Sequence, residues 1–171
     1  MIRTLVALAA ALSLPTAAAA RAAATAEVKD AMGRTVATAT FDQVAGGVRV
    51  TLVATALPPG PHGFHVHAAG RCDPPDFATT GGHFDPTHRH HGLMNPAGHH
   101  LGDMPNLVVG ADGRGTITAE LAGATLDAGP TSLFHPGGTS LVIHRGADDM
   151  MSDPAGNSGP KIACGVVVRA R

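Results

Sequence analysis

The chain predicts an all-β domain interrupted by two long irregular loops, and three observations carry that prediction. Its apolar residues are mainly Val, Ile, Leu and Ala, aromatics are only 3%, and no Leu-, Glu- and Lys-rich periodic stretch occurs. That composition favours strands over amphipathic helices. The 22 glycines and 13 prolines are spread along the chain, which implies many turns between short segments. Two stretches, residues 68–102 and 145–160, lose the strand pattern altogether, and loops of that length inside one domain are normally functional or disordered. A length of 171 residues suits one domain; no internal repeat or linker divides it.

Met1-Ile2-Arg3 followed by an apolar run from Leu5 to Leu14 and small residues from Pro15 onward has the order of a secretory signal peptide. We assign it to residues 1–26, with cleavage at one of two small-x-small sites in the window 20–26 and a mature domain over 27–171. A run of about ten apolar residues is short of the roughly 20 needed to span a membrane, so no stable membrane span remains after cleavage.

Residues 34–42 and 47–57 carry β-branched residues in partial alternation and read as antiparallel strands, with a turn at 31–34 before them. Pro58-Pro59-Gly60-Pro61 ends the second strand, and Gly63-Phe64-His65-Val66-His67 starts another. Leu107–Val109 and Gly115–Ala119 flank Ala111-Asp112-Gly113-Arg114, a hairpin with an Asp-Gly turn. Thr139–His144 is a strand entering the second loop, and Lys161–Val168 closes the domain as a buried strand.

The formal net charge is −1 with His neutral, so a nucleic-acid partner has no electrostatic support. Export would place Cys72 and Cys164, the only two cysteines, in an oxidising compartment where a pair is bridged. The bridge would close a loop of about 90 residues, worth roughly 4–5 kcal/mol in the chain-entropy model.

Histidine is the compositional outlier. The chain has 11, most of them between His62 and His100, and imidazole is a common ligand for zinc and copper. On a strand, His65 and His67 project to one face while Val66 faces the other, which makes half a metal site. His83-Phe84-Asp85-Pro86, His88, His90, His91, His99, His100 and Asp103 crowd the first loop. His144 ends a strand just ahead of Asp148 and Asp149.

Gly63-Phe64-His65-Val66-His67, Gly82-His83-Phe84-Asp85-Pro86, His91-Gly92, His100-Leu101-Gly102-Asp103, Leu141-Val142-Ile143-His144, Ala147-Asp148-Asp149, Gly156-Asn157 and Ala163-Cys164-Gly165-Val166 together resemble the copper/zinc superoxide dismutases. The match runs in order over roughly residues 60–168. The resemblance implies a Greek-key β-sandwich, or flattened eight-stranded barrel, with two long functional loops. It implies copper on His65, His67, His83 and His144, and zinc on His83, His91, His100 and Asp103, one ion of each. His83 would be shared as a bridging, catalytic imidazolate. It makes Asp148 the acceptor for His65 and His91.

The family's anion-guiding arginine falls at Lys161, which keeps the charge but loses the planar fork; superoxide is the implied substrate. His62, His88, His90, His99 and His135 fall off the family's positions and read as loop or surface residues. A homodimer is compatible with the resemblance, which names no surface for one. The alternative is a non-enzymatic copper/zinc-binding or buffering protein on the same fold.

Overall fold

The computed structural model describes residues 23–171, so the predicted leader lies outside the described residues as far as residue 22. β1 (Ala24–Asp30) and β2 (Thr35–Val44) form the first hairpin. Its turn is closed by Asp30, whose carboxylate accepts the Met32 and Arg34 amides at 2.9 and 3.0 Å, and Gly33 supplies the positive φ of 80°. β3 (Gly47–Ala54) follows, then β4 (Gly60–His62), β5 (Phe64–His67), β6 (Leu107–Val109), β7 (Gly115–Ala122), β8 (Ser140–His144), β9 (Lys161–Val166) and β10 (Val168–Arg169).

The main sheet runs β5-β8-β9-β1-β2-β3-β7, with β10 also on β1, and a small second sheet pairs β4 with β6. All the strand pairings are antiparallel. β7 returns beside β3, and β5 lies beside β8, so neighbours in space are not neighbours in sequence; these are the crossed connections of a Greek-key barrel. Alternation decides what lies inside. Ala24, Ala26 and Val28 of β1, Ala37, Ala39 and Phe41 of β2, and Val48, Val50 and Leu52 of β3 all face one core. The strands that matter for the site, β5 and β8, are buried on both faces.

Five elements differ from the sequence reading, one of them the closing strand, which stops at Val166 and leaves exposed Val168–Arg169 as a separate β10 on β1. β1 was not anticipated, because its short Ala-rich start merges with the small residues of the leader. The strand predicted to run to residue 57 stops at Ala54. Gly60–His62, read as part of the chain break after that strand, is itself a strand on β6. The 107–119 hairpin closes its turn, with the Gly110 amide on the Arg114 carbonyl at 2.8 Å. Its arms nevertheless pair elsewhere: β6 with β4, and β7 with all eight residues of β3. The longer free edge wins, and local alternation carries no information about which edge that is.

Candidate metal centre

The first long loop, from Ala68 to Gly102, is irregular apart from a 3-10 turn at Ala78–Thr80. Its middle and its far end are strapped to β5. The Phe84 amide donates to the Val66 carbonyl (2.8 Å), the Val66 amide to the Gly102 carbonyl (2.9 Å) and the Gly102 amide to the Phe84 carbonyl (2.8 Å). These straps carry His83 and Asp103 to the face where β5 already presents His65 and His67. β8, hydrogen-bonded along β5, delivers His144 at its end.

Two clusters result. In the first, His65, His67, His83 and His144 each aim one ring nitrogen at a common point. These four atoms, His65 Nδ1 and the Nε2 atoms of the other three, are buried and lack any hydrogen-bond partner. The opposite nitrogens explain why the inward ones are bare. His65 Nε2 donates to Asp148 Oδ2 (2.6 Å), His67 Nδ1 to the Gly81 carbonyl (2.9 Å) and His144 Nδ1 to the Gly159 carbonyl (2.9 Å). Each outer bond fixes the tautomer and turns a lone pair inward. Burial holds these rings neutral, pushing His65 down to about 3, His67 to about 2 and His144 to about 4. A dry set of four inward lone pairs is costly without a cation, and imidazole suits copper and zinc.

In the second cluster the Nδ1 atoms of His83, His91 and His100 surround Asp103 Oδ1 at 2.8, 3.1 and 3.4 Å. Ligands held tetrahedrally about 2.0–2.1 Å from zinc stand roughly 3.3–3.4 Å apart. His100 Nδ1 lies at that spacing, 3.3 Å from His83 Nδ1 and 3.4 Å from Asp103 Oδ1, while His83 and His91 stand closer to Asp103, so the four atoms could hold that ion with a small outward shift. Asp103 Oδ2 is fixed by the Gly92 and His100 amides at 2.9 and 3.0 Å. Burial alone would raise the Asp103 carboxyl, but the three histidines and the Gly92 amide outweigh it and hold it far below the carboxylate range.

His83 belongs to both clusters, Nδ1 in one and Nε2 in the other. Asp148, fully buried at the side chain, accepts His65 Nε2 with Oδ2 and His91 Nε2 with Oδ1 (3.0 Å). For His91, burial pulls downward, yet the carboxylates of Asp103 and Asp148 on its two nitrogens prevail and raise it to about 9. Gly156, at a φ of 59°, leaves the room Asp148 occupies, because a Cβ there would run into the carboxylate and the His91 ring. Lys161 lines the opening beside His67, His83 and His144, and Cys72 and Cys164 are bridged, with Cα atoms 5.6 Å apart.

The histidines outside the two sets divide. His88 and His90 are exposed, and His90 pairs with Asp153 at 2.7 Å. His99 is half-buried, its Nδ1 on the His100 carbonyl (2.8 Å), and His135 stacks on Phe84 with ring centres 5.5 Å apart. His62 corrects the sequence reading. It is buried rather than at the surface, with its ring nitrogens at the His144 and Pro58 carbonyls, 2.7 and 2.8 Å away. The pairing of β4 with β6 turns it inward.

Sequence reasoning also missed Asn106 and Asp153. Asn106 clamps the backbone of Asp148 from both sides, its Oδ1 taking the Asp148 amide and its Nδ2 donating to the carbonyl, each at 2.8 Å. Asp153 takes the His91 amide at 2.6 Å. Neither residue differs in sequence from an ordinary loop Asn or Asp, so no local signal was there to find.

The family model described as copper/zinc superoxide dismutase (SODC) matches residues 35–167. A copper-zinc superoxide dismutase of Aquifex aeolicus is 47% identical over 146 residues, covering 83% of this chain and 85% of the relative. One from Deinococcus radiodurans is 40% identical, covering 82% and 81%. Among solved structures, a superoxide dismutase-like protein from Bacillus subtilis superposes with a TM-score of 0.80 at 34% identity, covering 84% of this chain and 97% of that one. The Cu/Zn superoxide dismutase from Brucella abortus gives 0.67 at 31% identity, covering 83% and 97%. With that match spanning the strands and loops that build both clusters, the chain belongs to the copper/zinc superoxide dismutase family.

Proposed function

We propose that the chain dismutates superoxide to oxygen and hydrogen peroxide, with copper on His65, His67, His83 and His144 and zinc on His83, His91, His100 and Asp103. The observation that carries this reading is the placement of one imidazole, His83, with a nitrogen in each cluster. When bound, copper alternates between its two oxidation states and supplies the electron exchange for two successive superoxide ions. Zinc keeps one oxidation state and serves as a structural charge. His83 Nε2 would hold and release a proton on the side of the copper set, with Nδ1 on the side of the zinc set. His65, His67 and His144 keep their orientation through Asp148, Gly81 and Gly159. Lys161 places a positive charge at the opening, where a local field can draw in a small anion despite the net negative chain.

Export fits the bridged Cys72–Cys164 pair, and we assign the protein to a periplasmic or extracellular compartment after removal of the leader. Of the two cleavage sites, Ala18-Ala19-Ala20 leaves β1 whole. Cleavage at 24–26 would remove the residues that pair with Phe41 and Arg169.

The test is metal analysis of the mature protein together with superoxide consumption. One copper and one zinc per chain and rapid consumption are expected. Uptake of one kind of ion alone, or two ions with no consumption, defeats the proposal.

A further inference from the structure

The chain has two lysines, Lys29 and Lys161. Lys29 sits half-exposed on β1 beside Glu27. Lys161 stands at the start of β9, opposite His144, and among the described residues it is the one lysine or arginine lining the opening to the His67–His83–His144 cluster. A lysine there is a point charge on a flexible four-carbon stem, without the rigid donor fork of arginine. Something must decide where the charge rests.

Three oxygens do so. Lys161 Nζ donates to Thr80 Oγ1 at 2.7 Å, to the Gly81 carbonyl at 3.1 Å and to the Phe77 carbonyl at 3.4 Å. Thr80 is fully buried; its hydroxyl proton has its shortest acceptor in the Phe77 carbonyl at 2.9 Å, with the Gly81 carbonyl at 3.4 Å, and the same oxygen lies 3.3 Å from His67 Nδ1. With the proton on Phe77, a lone pair of the hydroxyl faces the ammonium. The shortest contact of the charge is thus a side chain, and the two carbonyls are longer.

We propose that Thr80 is a positioning residue for the proposed reaction: its hydroxyl pins the Lys161 ammonium at the mouth of the copper cluster, so that a flexible lysine acts as a fixed charge toward the incoming anion. The inference rests on the superoxide reading for its kinetic consequence but not for its structural one. With the hydroxyl gone, two longer contacts remain and the ammonium samples positions away from the opening. An arginine at 161 would not depend on Thr80 in the same way, since its fork can hold both carbonyls at once.

The test pairs two readouts on the copper- and zinc-loaded protein. In the reduced form, ¹⁵N-lysine labelling gives two side-chain ammonium signals, and the Lys161 signal is expected to be protected from exchange. Thr80→Val, which removes the hydroxyl at nearly constant volume, should abolish that protection, while Thr80→Ser keeps it. In the second readout, Thr80→Val lowers the rate of superoxide consumption and weakens azide binding to Cu(II) by about fivefold, the scale of one charge-assisted hydrogen bond partly replaced by its neighbours. Thr80→Ser stays within about twofold of the parent. In a Lys161→Arg background the same Thr80→Val change should cost less than about twofold, the signature of two coupled residues.

Equal metal content across the series separates positioning from damage to the site. An unprotected Lys161 signal in the parent, or a Thr80→Val effect of the same size with arginine at 161, overturns the proposal. If the parent consumes no superoxide, the dismutase reading fails, and the lysine signals and azide titration still decide the role of Thr80.

Discussion

Asp148 has two carboxylate oxygens, and each is committed to a different ring: Oδ2 to His65 and Oδ1 to His91. Burial would raise its carboxyl, but these two histidines and the Met150 amide override that and hold it well below the usual range. It is thus a fixed negative charge that orients one imidazole from each cluster. Removing an outer partner of a metal-binding histidine costs about 10–100-fold in metal affinity. Asp148→Ala should therefore lose zinc first, because His91 has its other nitrogen on Asp103 and no carbonyl to replace the lost acceptor, whereas His65 is held within β5. Chelator competition on the variant checks this; zinc and copper retained as in the parent would remove Asp148 from the centre. Asn106, which fixes the Asp148 backbone, should give a milder version of the same loss.

The first long loop is ordered by its attachments rather than by its own hydrogen-bond ladder. Its middle and its far end are strapped to β5, Cys72 bonds it covalently to β9, and Lys161, three residues before Cys164 on the same strand, grips residues 77–81. Gly81 is the point where this matters, since its carbonyl accepts both Lys161 Nζ and His67 Nδ1. Reducing the bridge removes one of the two grips on the segment that orients His67. Stability should fall by roughly 4–5 kcal/mol on the chain-entropy model, and copper should be released more readily than zinc, whose histidines lie farther along the loop. Copper affinity unchanged after reduction, measured by competition with a chelator, would mean that the noncovalent grip suffices.

For the molecule as a whole, the clusters make stability depend on pH with a definite sign. In the metal-free fold His65, His67 and His144 are held below their ordinary value of 6.5, to about 3, 2 and 4. Below pH 6.5 the unfolded chain takes up protons that the folded one refuses. Stability is then full above pH 6.5 and is lost as the pH falls toward 4, by about 1.4 kcal/mol per pH unit for each proton. His91, raised to about 9, has the opposite sign: its contribution is full below pH 6.5 and fades as the pH climbs through 9. The metal-free protein should accordingly melt highest near pH 6.5, falling steeply on the acid side and gently on the alkaline side. Bound metal adds its binding free energy to the fold and competes with the same protons, so the loaded protein should melt higher and release metal on acidification. Melting curves with and without chelator from pH 4 to 9 test both arms. A metal-free melting temperature flat from 6.5 to 4 would contradict the buried neutral state of these rings.

Much of this centre is written in short-range spacing. The period of two on a strand puts His65 and His67 on one face and Val66 in the core, and that geometry needs no partner. The strand-rich composition, the two irregular stretches and the density of histidine likewise follow from the letters alone. The sharing of His83, the place of Asp148 and the separation of His91 and His100 from their neighbours His90 and His99 came from family resemblance, not from local pattern. Closure of the sheet settles the remainder. It buries His62 by pairing β4 with β6, sends the arms of the 107–119 hairpin to different partners, and brings Thr80 to Lys161, 81 residues away. Those contacts join distant segments whose meeting depends on which free strand edge is filled, and strand periodicity is blind to that choice.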